Sequence, residues 1–270
     1  MSYALNEDQQ FILEAADRYA RERLAPLAPR MDEEEWFPDE EFRALGKEGY
    51  LGITVPPELG GAGLDLWSSG LVLQAFSRWN HAFGLSWVAH ENLCMNNIYR
   101  NANDDVRRRF VPGLCDGTLI GALGLTEPGA GSDALGSMAT TAVRDGDEYV
   151  VNGRKLYITN GPVADVILLY AKTDPAAGAR GISAFVVDMH GPGVTVTQKL
   201  TKMGFRGSPT AELAFDDCRV PAANVVGREN QGVKCVMSGL DLERAMISPI
   251  CVGIAERALE LTVAFSKERE

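Results

Sequence analysis

The sequence predicts an α+β protein: an N-terminal helical domain, a central antiparallel β-barrel or sandwich, and a return to helix at the end. Three observations carry this reading. Up to about residue 118, apolar residues recur at helical spacing between breakers. From Leu119 the period shortens, and eight β-rich segments follow one another, punctuated by Asp-Gly, Asn-Gly and Gly-Pro-Gly signals. From about Gly232 a helical stripe returns. The domain division is therefore 1–118, 119–230 and 231–270.

Composition bounds the function. The chain has 270 residues, 46% hydrophobic and 23% charged, an ordinary globular profile long enough for two domains or one plus a fragment. A net charge of -11 argues against nucleic acid and anionic membranes as partners. The densest basic cluster, Arg107-Arg108-Arg109, follows two aspartates and reads as a solvated helix face. No apolar run reaches membrane-spanning length, and Met1 to Asp8 reads as neither a signal peptide nor an Arg-rich presequence. A bacterial cytoplasm is the expected compartment, with a mitochondrial matrix as the alternative. Five scattered cysteines without a C-x-x-C pair fit reduced thiols. Three histidines without metal-ligand spacing predict no metal site, and neither a P-loop nor a Rossmann glycine motif is present.

The first helix follows from Asn6 as N-cap and from Phe11, Ile12, Ala15, Ala16 and Tyr19, with Pro26 as its stop. A second starts near Pro38, carries Phe42 and Leu45, and ends by Gly49. The run from Ile53 to Gly63 is too rich in Pro and Gly to be anything but a loop. A long helical region follows from about Trp67 to Cys94, its aromatics read as core. The expected strands are Leu119–Leu125, Met138–Val143, Tyr149–Val151, Lys155–Thr159, Val166–Lys172, Ile182–Val187, Val194–Leu200 and Ala211–Phe215.

On the last helix one stripe reads Val236, Gly239, Leu240, Glu243, Met246, Ile247, Ile250, Ile254. A single carboxylate on that apolar face should have a raised pKa, which suits a proton acceptor. A structural carboxylate satisfied by a hydrogen bond or a distant Arg fits the same pattern. Asp241 sits three residues before Arg244 and can pair with it on another face. Two loops could meet a ligand. Thr126-Glu-Pro-Gly-Ala-Gly131-Ser132-Asp133 can turn N–H groups and hydroxyls toward a flavin edge or a phosphate, or can be a plain turn. In Tyr157-Ile158-Thr159-Asn160-Gly161, strand periodicity puts Tyr157 and Thr159 on one side, for a flat ring or for cross-strand packing.

These two loops, with Met203-Gly-Phe-Arg206-Gly-Ser-Pro-Thr210 and Val55-Pro-Pro-Glu-Leu-Gly-Gly-Ala-Gly63, together resemble the acyl-CoA dehydrogenase family. Met237-Ser-Gly-Leu-Asp-Leu-Glu-Arg244 resembles its isovaleryl-CoA dehydrogenase branch, and the resemblance spans essentially the whole chain. It implies FAD as cofactor, with Leu123, Leu125, Thr126, Gly131, Ser132, Tyr157, Ile158 and Thr159 around the flavin. Tyr157 departs from the usual Trp. Substrate contacts are implied for Ser132, Arg180, Asp241, Leu242 and Arg244, and Glu243 is implied as the catalytic base. Lys234 stands where that branch tends to have an aromatic, which bears on acyl length.

The implied reaction removes the α-proton of a short branched acyl-CoA and sends the β-hydrogen as hydride to the flavin, giving the 2-enoyl thioester. Electrons then go to an electron-transfer flavoprotein, and the family assembles as homo-oligomers, typically tetramers. The resemblance also makes 231–270 the first helix of a C-terminal helical bundle, its other helices expected either from a longer chain or from another one. A non-catalytic acyl-CoA-binding subunit or incomplete fragment is the alternative; an acyl-CoA oxidase would call for a longer chain.

Overall fold

A computed structural model describes residues 4–269; Met1–Tyr3 and Glu270 lie outside the described residues. The helical part comprises α1 (Glu7–Tyr19), α2 (Ala28–Glu34), α3 (Asp39–Ala44), α4 (Leu66–Trp79), α5 (His81–Val88), α6 (Asn97–Asn101) and α7 (Asp104–Cys115). Asn6 caps α1 in a reciprocal box: its side chain accepts from the Gln9 N–H, and the Gln9 side chain accepts from the Asn6 N–H. The helical region expected from about Trp67 to Cys94 divides at Asn80, whose φ of -153° ends α4 and whose side chain caps α5 by accepting from Phe83 N–H. Between 89 and 96 the chain winds as a π-helix before α6 begins.

The β part has seven strands, β1 (Gly121–Gly124), β2 (Thr141–Asp145), β3 (Glu148–Thr159), β4 (Val166–Lys172), β5 (Ile182–Asp188), β6 (Val194–Lys199) and β7 (Thr210–Pro221). The expected eighth disappears because Asn152-Gly153 is not a turn: β3 runs through it with a register shift between Val151 and Gly153. Gly153 is required there by closeness, since a Cβ would meet Thr140 Oγ1 at 2.4 Å. Asp145-Gly146 does turn the chain, joining β2 to β3 as a hairpin. The antiparallel expectation is corrected at β4, which pairs in parallel with β1 and, at Lys172, with β2. The remaining pairs are antiparallel, in the order β1-β4-β2-β3-β7-β6 with β5 along β4.

β4 is buried on both faces, which explains its unbroken apolar run. Ile167, Leu169 and Ala171 enter the core of the sheet domain, whereas Val166, Leu168 and Tyr170 enter a second core shared with α6, α7 and α8 (Gly232–Glu268). A third core unites the N-terminal helices with Met246 and Ile250 of α8. The stripe on α8 is thus mostly buried, but Ile247, expected on it, is 40% exposed. Arg109, expected to be solvated, instead reaches the sheet domain, donating to Asn224 Oδ1 at 2.8 Å and to the Ala223 carbonyl at 2.7 Å.

Candidate active site

A cleft of about 210 Å³ opens where the three parts meet. The π-helical stretch supplies Ala89 and Leu93, and β1 with the loop after it supplies Leu123, Leu125 and Thr126. β3 supplies Tyr157, Ile158 and Thr159, and α8 supplies Leu240 and Glu243. Glycine makes this convergence possible, because a Cβ on Gly121 would meet Cys94 Sγ at 2.6 Å; its absence lets β1 pass against the π-helix.

Simple alternation does not place Tyr157. A bulge between Lys155 and Ile158 interrupts the β3–β7 ladder, and Tyr157 sits within it at φ +61°, with the residue 66% exposed. A bulky residue in the left-handed region costs free energy and persists only where its surroundings impose it. Ile158 turns into the sheet core and is buried. Glu243 faces this wall from α8. Its Oε2 is buried with no hydrogen-bond partner among the described residues, and burial alone pushes the carboxyl from 4.5 up to about 7. A buried polar atom left unpaired calls for a reason, and a catalytic role or a bound molecule is one such reason.

Of the residues named from sequence, the structure brings together Leu123, Leu125, Thr126, Tyr157, Ile158, Thr159 and Glu243. Gly131 and Ser132 are exposed on the loop beyond and do not line the cleft; neither does Leu242. Arg180 is exposed in a short helical turn, and Asp241 pairs with Arg244 at 3.2 Å on the outer face of α8. Lys234 is likewise exposed. Ala89 and Leu93 were missed because nothing in a helical repeat says which turn will face a strand. Also missed was the buried pair Lys155–Glu127, 2.8 Å apart beneath the Thr126 loop. Counting by twos from buried Val151 puts Lys155 on the inward face, a signal that was present.

The cleft suits a flat, polar-edged ring: an exposed aromatic held in a strained conformation, two threonines and a strand edge face an unpaired carboxyl across a narrow gap. A helical domain, a seven-stranded sheet and a closing helix that bears a buried carboxyl meet at this cleft. Three family models match in order: the acyl-CoA dehydrogenase N-terminal domain over residues 6–118, its middle domain over 122–218 and its C-terminal domain over 230–270. Mitochondrial isovaleryl-CoA dehydrogenase of Pongo abelii is 44% identical over 98% of this chain, which spans 64% of that relative's length. Butyryl-CoA dehydrogenase from Megasphaera elsdenii superposes with a TM-score of 0.96 at 35% identity, covering 100% of this chain and 71% of that one. An FAD complex of PigA gives a TM-score of 0.94 at 30% identity, with coverage of 100% and 71%. The chain belongs to the acyl-CoA dehydrogenase family.

Proposed function

We propose that this chain carries the FAD and acyl-CoA sites of a short branched-chain acyl-CoA dehydrogenase, isovaleryl-CoA-like in substrate, with Glu243 as the base. The observation that carries the reading is Glu243 itself, with a buried, unpaired Oε2 across the cleft from Thr126, Tyr157 and Thr159. A carboxyl held near 7 is about half ionised at neutral pH and has the basicity that proton abstraction next to a thioester carbonyl demands. Apolar Ala89, Leu93, Leu123 and Leu240 exclude water around it, which strengthens every polar contact made there. Tyr157 would cover one face of a bound ring, and Thr126 and Thr159 would hold its polar edge. When bound, FAD supplies the acceptor for the hydride that leaves the β-carbon. Glu243 takes the α-proton, and the product is the 2-enoyl thioester.

Within the same reading Ser132 and Arg180 meet the CoA portion, Asp241 and Arg244 flank Glu243 and reach the same substrate with Leu242, and Gly131 shapes the loop beside the flavin. The reading divides the chain at 118/119 and 230/231. It has an electron-transfer flavoprotein as electron acceptor, a homotetramer as the assembly and a bacterial cytoplasm as the compartment. No helix among the described residues is long and apolar enough to cross a membrane.

A second reading, an acyl-CoA-binding or incomplete subunit without turnover, is favoured by one feature. Beyond Ile254 the α8 helix leaves Leu259 and Val263 on one side and Leu261 and Phe265 on another exposed, four apolar residues in the water-facing part of the helix. The deciding experiment is a visible spectrum of the purified chain, before and after anaerobic isovaleryl-CoA. A flavin band that bleaches in the parent but not in Glu243→Gln supports the enzyme and its base together. A chain that stays colourless with added FAD, or elutes from gel filtration as aggregate, supports the second reading.

A further inference from the structure

We propose that the buried Lys155–Glu127 pair is the positioning device of the cleft, holding its Thr126 side in register with its Tyr157 side. The proposal deepens the flavin reading above and rests on it. Lys155 Nζ donates to Glu127 Oε1 at 2.8 Å and to the Leu125 carbonyl at 3.1 Å. The two side chains are 0% and 4% exposed. The Glu127 carboxylate also accepts from the Ala139 N–H at 2.6 Å and the Thr140 N–H at 3.0 Å. One ion pair therefore joins three stretches: the loop after β1, the middle of β3 and the approach to β2.

Thr126, which lines the cleft, lies between Leu125 and Glu127, the two residues that Lys155 grips. Its own carbonyl accepts from Leu156 N–H at 2.9 Å, the residue next to Lys155. One residue further, the bulge turns Tyr157 out into the cleft. The same few residues thus set both the hydroxyl and the aromatic. Burial pulls Lys155 down only to about 8, and burial of Glu127 is outweighed by the ammonium and the N–H donors, so both stay charged near neutral pH. A buried ion pair is a poor source of stability beside an apolar pair of the same shape. What it offers is registry, because ammonium and carboxylate are both satisfied in one alignment only. Neither residue lines the cleft, so both are positioning residues.

The test uses the full chain with Lys155→Met and with the paired change Glu127→Gln/Lys155→Met, which removes both charges and keeps the shape. Expected for the pair is a cooperative melt close to the parent's, with FAD bound about tenfold or more weakly and an altered visible circular dichroism of the bound flavin. Without flavin, amide exchange at Ala130, Ala139 and Thr140 should be about tenfold faster than in the parent. A paired variant with parental flavin affinity, dichroism and exchange overturns the proposal, whatever its melting point. If neither variant folds, the parent decides: added FAD should slow exchange at Ala139 and Thr140, which lie outside the cleft, and unchanged rates overturn the proposal. A parent that takes up no FAD defeats the flavin reading instead, and flavin-free exchange in parent and paired variant then judges the clamp alone.

Discussion

Gly239 packs directly against Asn97: a Cβ at position 239 would meet Asn97 Nδ2 at 2.2 Å. Asn97 has little room to yield. Its Nδ2 donates to Tyr170 OH at 3.1 Å, and its Oδ1 accepts from Asn101 Nδ2 at 2.8 Å and from Cys235 Sγ at 3.2 Å. This contact seats α8 against the helical domain one turn before Glu243, so the depth of the Glu243 carboxyl depends on a glycine.

Gly239→Ala should therefore destabilise the chain although alanine favours helix. Overpacking a tight core site costs about 1–3 kcal/mol, against about 1 kcal/mol gained in helix propensity. The net loss is read as a lower urea midpoint at unchanged slope. Adding Asn97→Ala opens the space and should recover part of it; a single Gly239→Ala as stable as the parent contradicts the packing described.

Gly253→Ala probes the same interface further along. Its Cβ would lie 2.3 Å from the Gln74 carbonyl oxygen and 2.8 Å from Arg78 N, both backbone atoms of α4 that cannot rotate away. The helices must separate, at a cost on the upper side of the usual overpacking range, about 3 kcal/mol or more. The Gln74–Glu256 hydrogen bond and the Arg78–Glu260 ion pair would be strained with them. Thermal melts of Gly253→Ala and Gly239→Ala should rank in that order of damage.

Glu243 should make stability depend on pH. Its folded-state value of about 7 exceeds the ordinary 4.5, so between these values the folded chain binds more protons than the unfolded one. Stability then falls as pH rises through that window, by on the order of 3 kcal/mol. Glu243→Gln removes the carboxyl, so the variant should be the more stable above about pH 8, with the difference closing below about pH 4. Urea midpoints across the range check this without any measurement of activity. A constant difference at every pH would mean that burial does not hold the carboxyl neutral.

Tyr157 should show stability and binding moving in opposite directions. The residue is 66% exposed and held at φ +61°, so Tyr157→Gly loses little packing and relieves about 1 kcal/mol of backbone strain. The urea midpoint should rise slightly while FAD affinity falls, because the flat ring is gone from the cleft. Tyr157→Phe should leave both close to the parent.

Much of this was legible in the sequence because it depends on local periodicity. The Asn6 N-cap, the Asp145-Gly146 hairpin and the strand over Val166–Lys172 follow from neighbouring residues alone. The Glu243 stripe was legible for the same reason, since α8 keeps one period from Val236 to Ile254. Other features required the assembled chain. Asn152-Gly153 has the composition of a turn, yet Thr140 packs over it and keeps β3 continuous. Tyr157 reaches the cleft through a bulge, which shifts the register that alternation assumes. Ala89 and Leu93 face the cleft because Gly121 lets β1 touch the π-helix, and Lys155 meets Glu127 from 28 residues away. The sequence by itself determined the helical or extended character of most segments and that the Glu243 carboxyl would sit on an apolar face, since both follow from spacings of two to four residues. Only the tertiary structure decided which side chains share the cleft, because that depends on close approaches between segments far apart in the chain, which no local period encodes.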